Sequence, residues 1–388
     1  MNARNTNGTL LLMILAALLT LGAAACGGSE TDTTDEGTTA TDGEEFSGAV
    51  PSADVVELSI GDEGTAAQGL TVVEQGLAGE PGALRQHAED VLRGVNGLVR
   101  ETHAQVDRLI ESTEPVVIQQ GNLECRQWEG DGERASWRLT VCALNRQAKH
   151  FRVLLEGKTL GVEGDYKAVF AGEGFRHKAE GERRNGRGRL GYNLDNLGEI
   201  LGTEVSGKLG IGYRSAGQGR RLNLGFKGVQ GPEFEQPLNA VYRFSHVRGR
   251  GGSFHFLTHR DLVLLDEAGE PALGQDGTAE NARAAVVWSR AGAARGVFVV
   301  CGGTLGEGEC LREAQCWSAD GEVTFSAAID GAVEWDRQAC EPVPMEEIMP
   351  PAETDAEAPV EDAEGLLELP IPDDSGDEAA DAEETTEE

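Results

Sequence analysis

Lys208-Leu-Gly-Ile-Gly-Tyr-Arg214 and Arg221-Leu-Asn-Leu-Gly-Phe-Lys227 are two stretches in which every second residue is apolar. Leu209, Ile211 and Tyr213 share one parity, while Lys208, Gly210, Gly212 and Arg214 share the other. Successive side chains of an extended chain point to opposite faces. The pattern therefore predicts antiparallel strands with one buried face and one wet face. Between them, Ser215–Gly219 has the composition of a turn.

Working outward, the same alternation holds upstream, where Leu190, Tyr192 and Leu194 oppose Arg189, Gly191 and Asn193. It holds downstream, where Tyr242 and Phe244 oppose Arg243 and Ser245. It recurs from about Val116 to Ile329, punctuated by turns such as Arg248–Gly252. No second strong helical pattern interrupts it, which argues against βαβ units. The reading is mainly β: a large antiparallel meander of about ten strands or more. A sheet of this size tends to curl, so a half-barrel or open barrel is expected.

Residues 81–113 have a different period. Leu84, Ala88, Val91, Leu92, Val95, Leu98, Val99, Val106, Leu109 and Ile110 recur at three- and four-residue steps. Pro81 suits a first helical turn, and Pro115 disfavours helix at Glu114. The spacing predicts one long N-terminal amphipathic helix. Its apolar stripe needs a large apolar surface, and the sheet's buried face supplies one.

The chain begins with a polar start containing Arg4, then an apolar run from Leu10 to Leu21, then Gly22-Ala-Ala-Ala-Cys26. That is the layout of a cleaved secretory signal spanning 1–25. The run is about a dozen residues, too short to cross a hydrocarbon core of about 30 Å. Residues 1–26 resemble the lipobox region of bacterial lipoproteins, with Ala23 where leucine is usual. The resemblance implies that Cys26 is lipidated and becomes the mature N-terminus. It also implies an exported protein of the cell envelope, anchored through lipid, with the outer membrane favoured over the inner because Gly27 is no retention signal.

Residues 26–50 read as a disordered Thr/Asp/Glu/Gly stalk, with too little apolar content to offset ordering entropy. Residues 341–388 hold nineteen Asp or Glu and no Lys or Arg, and read as a disordered acidic tail. The folded domain is then 51–340. The formal net charge of −34 belongs to these flanks. Residues 27–84 carry thirteen acids and no base, while 85–340 carry 32 bases and 35 acids, so the middle is nearly neutral. Within it, residues 176–250 are basic, with fourteen Lys or Arg against seven acids. Arg183, Arg184, Arg187, Arg189, Arg214, Arg220, Arg221, Arg248 and Arg250 sit near strand ends or on the polar face, with Arg183, Arg184, Arg187, Arg189, Arg220 and Arg221 forming the densest part. Such a field suits an anionic polymer, lipid headgroups or the chain's own acidic tail. The alternative is a solvated outer face whose charge guards against edge pairing. Export and the lack of a matching module argue against nucleic acid.

Beyond Cys26 there are six cysteines: Cys125, Cys142, Cys301, Cys310, Cys316 and Cys340. An even number in an exported chain points to disulfides. Cys125 and Cys142 flank the hairpin-like stretch Trp128–Trp137 and are expected to pair across facing strands. The other four are expected to form two local bridges, with Cys301 free to take either Cys310 or Cys316. The spacings lack the tight pairs of a zinc site.

No catalytic motif is present: neither a Gly-x-Ser-x-Gly elbow nor a His-Glu-x-x-His helix occurs. His255 and His259 fall in a strand-like stretch, where ring-bearing carbons four residues apart are about 13 Å apart and cannot share one metal. Neither a metal nor a cofactor is implied. A helix followed by a one-sided meander over about 81–330 looks like the periplasmic lipoprotein-carrier half-barrels, by architecture only. That likeness implies an apolar ligand held between helix and sheet. The functional expectation is a lipid-anchored envelope binding or scaffold protein. The alternatives are an envelope hydrolase with an unfamiliar site and a surface adhesion or structural protein.

Overall fold

A computed structural model describes residues 83–328, apart from 121–122, 146–149, 179–183, 217–218, 232–236, 262–263, 266–270, 274–276 and 320–321. The expected signal peptide, Cys26, the stalk, Cys340 and the acidic tail lie outside the described residues.

The chain opens with helix α1 (Ala83–Ser112). Strands β1 (Val116–Gln120), β2 (Leu123–Asp131), β3 (Ala135–Asn145), β4 (His150–Thr159), β5 (Lys167–Lys178) and β6 (Arg184–Asn193) follow. Helix α2 (Leu194–Leu201) leads into β7 (Ser206–Ala216), β8 (Gly219–Gln230), β9 (Leu238–Val247) and β10 (Gly251–Arg260). A small separate hairpin, β11 (Leu264–Leu265) and β12 (Pro271–Leu273), precedes β13 (Glu280–Ser289), β14 (Ala294–Cys301), β15 (Cys310–Trp317) and β16 (Val323–Ala328).

Fourteen of these strands form one open antiparallel sheet whose order is the chain order, with only β11 and β12 left out. Each strand pairs with the next because the connections are short, and β1 and β16 remain its two edges. The mainly β reading and the meander therefore stand.

One expectation fails locally. Leu194 does not continue strand β6, because a helix starts there. Asn193 caps it, its side-chain oxygen accepting a hydrogen bond from the Asn196 backbone N–H at 3.1 Å. Gly202, at φ +64, ends it in the left-handed region. Leu194, Leu197, Ile200 and Leu201 are buried on one helical face, so this short segment satisfies period two upstream and a helical period downstream.

The inner parity of the strands makes the core. Trp128, Trp137, Phe170, Tyr242, Phe254, Phe298 and Trp317 are fully or almost fully buried. Tyr242, Phe244, Phe254 and Phe256 form a run of ring contacts with centroids 4.7–6.5 Å apart across β9 and β10. Glycines admit the largest rings. A Cβ on Gly174 would stand 2.6 Å from the Tyr213 hydroxyl, and Gly188 would clash with it too, so Tyr213 lies where two neighbouring strands carry no side chain. Trp137 similarly lies over Gly157 of β4, where a Cβ would come within 2.9 Å of its ring. Trp137→Ala removes a fully buried indole and is expected to cost about 3–5 kcal/mol. In thermal unfolding followed by circular dichroism, that corresponds to a fall in Tm of about 10 °C. A fall under about 2 °C would mean that the site collapses around the truncation.

Two disulfides tie neighbouring strands. Cys125 and Cys142 are direct partners across β2 and β3 and are bridged, as the hairpin spacing suggested. Cys301 takes Cys310, its cross-strand partner at the ends of β14 and β15. Cys316 is also disulfide-bonded, to a cysteine outside the described residues.

Candidate anionic-partner surface

In antiparallel sheets, residues directly opposite one another share a face. The register therefore sorts each arginine. Arg187 of β6 faces Arg214 of β7, and Arg214 faces Arg221 of β8. These three bases stand in one cross-strand row, with Cα partners about 4.5–5.5 Å apart. The next row runs Glu173, Arg189, Gly212, Asn223, Arg243 and His255. At the other end of the same strands Lys208 faces Lys227. All seven of these bases are exposed, and all lie on the outer parity.

Between these basic banks runs a row of small residues: Ala171, Gly191, Gly210, Gly225 and Val241. These five are buried even though they belong to the outer face. Three of the five are glycines on consecutive strands, so the row carries little side-chain bulk over about 19 Å at the usual strand spacing. Strands β6–β10 contain no Asp or Glu, so no carboxylate from these five strands offsets the field. Burial, and then the positive charge of Arg243, hold the His255 imidazole below its ordinary pKa.

Arg187, Arg189 and Arg221 thus come together on one surface. Arg184 opens β6, and Arg183 lies outside the described residues. Arg220 belongs elsewhere. It is opposite Ser215 and His246, on the parity of the core residue Leu222, so it sits at the inner-face end of β8. Adjacency in sequence to Arg221 placed it on the opposite side, since period two separates neighbours. Arg214, expected from the sequence, stands with them, and Lys208, Lys227 and Arg243 complete the surface. The signal that finds them is their strand parity, rather than local charge density.

Glu173, the acid in line with Arg189, is engaged. Glu173 Oε1 bonds His150 Nε2 at 2.8 Å, and Oε2 accepts from Arg152 at 3.3 Å. Burial pushes the Glu173 carboxyl up, but the hydrogen bonds and charges of His150 and Arg152 outweigh it and hold the pKa below the usual value. This pair joins β4 to β5. The other histidine–carboxylate pair, His103 with Asp107 at 2.8 Å, lies one turn apart on α1. His259 bonds Asn281 across β10 and β13 at 3.1 Å. Among the described residues no cluster of three potential metal ligands occurs.

Between Val99 and Leu109, helix α1 packs side chains against the sheet. Val99, Thr102, Gln105, Val106 and Leu109 of the helix are all at most 5% exposed. Leu109 reaches Gly130 of β2, and α1 also contacts β13 near the other end of the sheet. Thr102 and Tyr192 share a buried hydrogen bond of 3.2 Å. Burial raises the Tyr192 pKa far above its ordinary value, so the phenol stays a neutral hydroxyl. Tyr192→Phe leaves the Thr102 hydroxyl buried without this partner and is expected to cost about 1–2 kcal/mol. Urea unfolding should show it as a lower midpoint at unchanged slope, and Thr102→Val in the same background should restore part of the loss.

Compared with known protein families, with curated proteins and with solved structures, the chain matches none.

Proposed function

We propose that this chain is a lipid-anchored binding protein of the cell envelope, held by lipid on Cys26, that captures an anionic polymer on the outer face of β6–β10. In this reading the sheet curls as a half-barrel around α1, and the outer membrane is the anchoring site. The curl is supported by the reach of one helix, which touches β2, bonds Tyr192 of β6 and meets β13.

The observation that carries the function is the arginine row. Like charges directly opposite in a sheet destabilise it. Arg187, Arg214 and Arg221 stand level on β6, β7 and β8, and the strands β6–β10 themselves contain no Asp or Glu. A row of guanidinium groups at strand spacing suits a chain of closely repeated phosphates or carboxylates, each able to take two parallel hydrogen bonds.

Cysteine pairing is compatible with the anchor. Four cysteines are paired with each other and Cys316 is bridged, which leaves Cys26 and Cys340 as its candidate partners. Acylation of Cys26 requires Cys340 to be that partner.

The test of the binding reading is titration of the full-length protein with inorganic polyphosphate and with neutral dextran. Polyphosphate is expected to bind and dextran not. With about seven basic contacts, affinity should drop about a thousandfold for a fourfold rise in salt. Salt-insensitive binding, or none, would overturn the reading.

A further inference from the structure

We propose that the acidic C-terminal segment, residues 341–388, lies across the arginine row of its own outer face and acts as a tethered competitor for the anionic ligand. The inference rests on the acylated Cys26 proposed above, since a sulfur that carries lipid cannot form a disulfide and Cys340 then becomes the partner of Cys316.

The root of the segment is what directs it. Cys316 of β15 faces Arg295 of β14, which faces Val287 of β13. The row continues through Ser253 and Ser245, whose hydroxyls are 2.7 Å apart, to Arg221, Arg214 and Arg187. Cys316 and the three arginines therefore share one cross-strand row, buried at Cys316, Arg295 and Val287, half-buried at Ser253 and Ser245, and exposed at the arginines. A bridge at Cys316 starts the segment on the same face and in the same row as the bases.

The reach fits. From β15 to β8 is five strand intervals, about 24 Å at the usual spacing, which an extended chain covers in about seven residues. Glu346 and Glu347 are six and seven residues beyond Cys340. They come level with Arg221, and Glu353, Asp355 and Glu357 follow for the rest of the basic face. Nineteen acids and no base make the segment complementary in sign to strands that have ten bases and no acid. Tethering raises its local concentration to the millimolar range, so weak individual contacts suffice to hold it. An external polyanion then binds by displacing it, and its apparent affinity is reduced by the fraction of molecules that are covered.

The experiment is zero-length carbodiimide cross-linking of the full chain carrying R214K/R221K. Both positions are exposed, both substitutions keep the charge, and both supply the amine that the reagent joins to carboxylates. Peptide mapping is expected to find intramolecular amide bonds from positions 214 and 221 to Glu346, Glu347 or later acids of the segment. Their yield should fall about tenfold between roughly 0.02 M and 0.5 M salt, as screening shortens the range of the attraction. Bonds from these positions only to acids of the folded body, bonds only between two molecules, or a yield indifferent to salt would each overturn the proposal. Non-reducing mapping of the same sample separates the two levels of failure. A Cys316–Cys340 bridge without these cross-links sinks the tail contact alone, whereas a Cys316–Cys26 bridge removes the lipid anchor as well.

Discussion

Arg214→Glu is expected to make the folded protein more stable and its polyanion binding weaker. Arg214 stands between Arg187 and Arg221 in the sheet, facing both. Its replacement turns two repulsive cross-strand pairs into two attractive ones. Pairs of this kind contribute about 0.2–1 kcal/mol each, so a gain of about 1 kcal/mol is expected. The same change alters the charge of the surface by two units, and each basic contact to an anionic surface is worth about 1 kcal/mol. Polyphosphate affinity should therefore drop about thirtyfold at low salt. Denaturant unfolding and a binding titration on one preparation measure both effects. Opposite signs are the mark of a residue kept for binding against a folding cost. A loss of stability with unchanged binding would show that the row serves the fold, and the anionic-polymer reading would fall. Arg243→Glu, which faces Asn223 and His255 instead of other arginines, should weaken binding with less gain in stability.

Cys26→Ser should shift the mature protein from the membrane fraction to the soluble fraction. Each buried methylene of an acyl chain contributes about 0.8 kcal/mol, so several chains on one residue hold far more firmly than any protein contact described above. No helix among the described residues is long and apolar enough to cross a membrane. Fractionation with and without high salt is the measurement, since salt releases material held only by the basic face. Intact mass should show acyl groups on the wild-type first residue and none on the variant. Retention of Cys26→Ser in the salt-washed membrane would count decisively against a lipid tether.

Strand parity is legible along the chain, whereas the level at which distant strands meet is not. Alternation around Leu209–Tyr213 and Leu222–Phe226 predicted strands and their buried faces, because period two is a local property of an extended chain. Cys125 and Cys142 could be matched for the same reason: their connection is a single hairpin. The helix at Leu194–Leu201 was hidden, since Leu194 satisfies the strand parity of Leu190 and Tyr192 while the Asn193 cap begins a different period. Arg220 was grouped with Arg221 because charge density along the chain ignores which face each residue takes.

Residue order alone determined the local elements: where strands alternate, where acids accumulate, and that residues 27–84 and 341–388 carry acids and no base on either side of a nearly neutral middle. Only the tertiary structure decided which bases are neighbours. Arg187, Arg214 and Arg221 lie on three strands, and whether they stand level depends on register, which shifts at the bulge between Ser206 and Lys208. Cys316 joins their line through β13 and β14 for the same reason. Registers are settled by how the inner faces pack, as around Tyr213 over its two glycines, and that packing is a property of the assembled sheet.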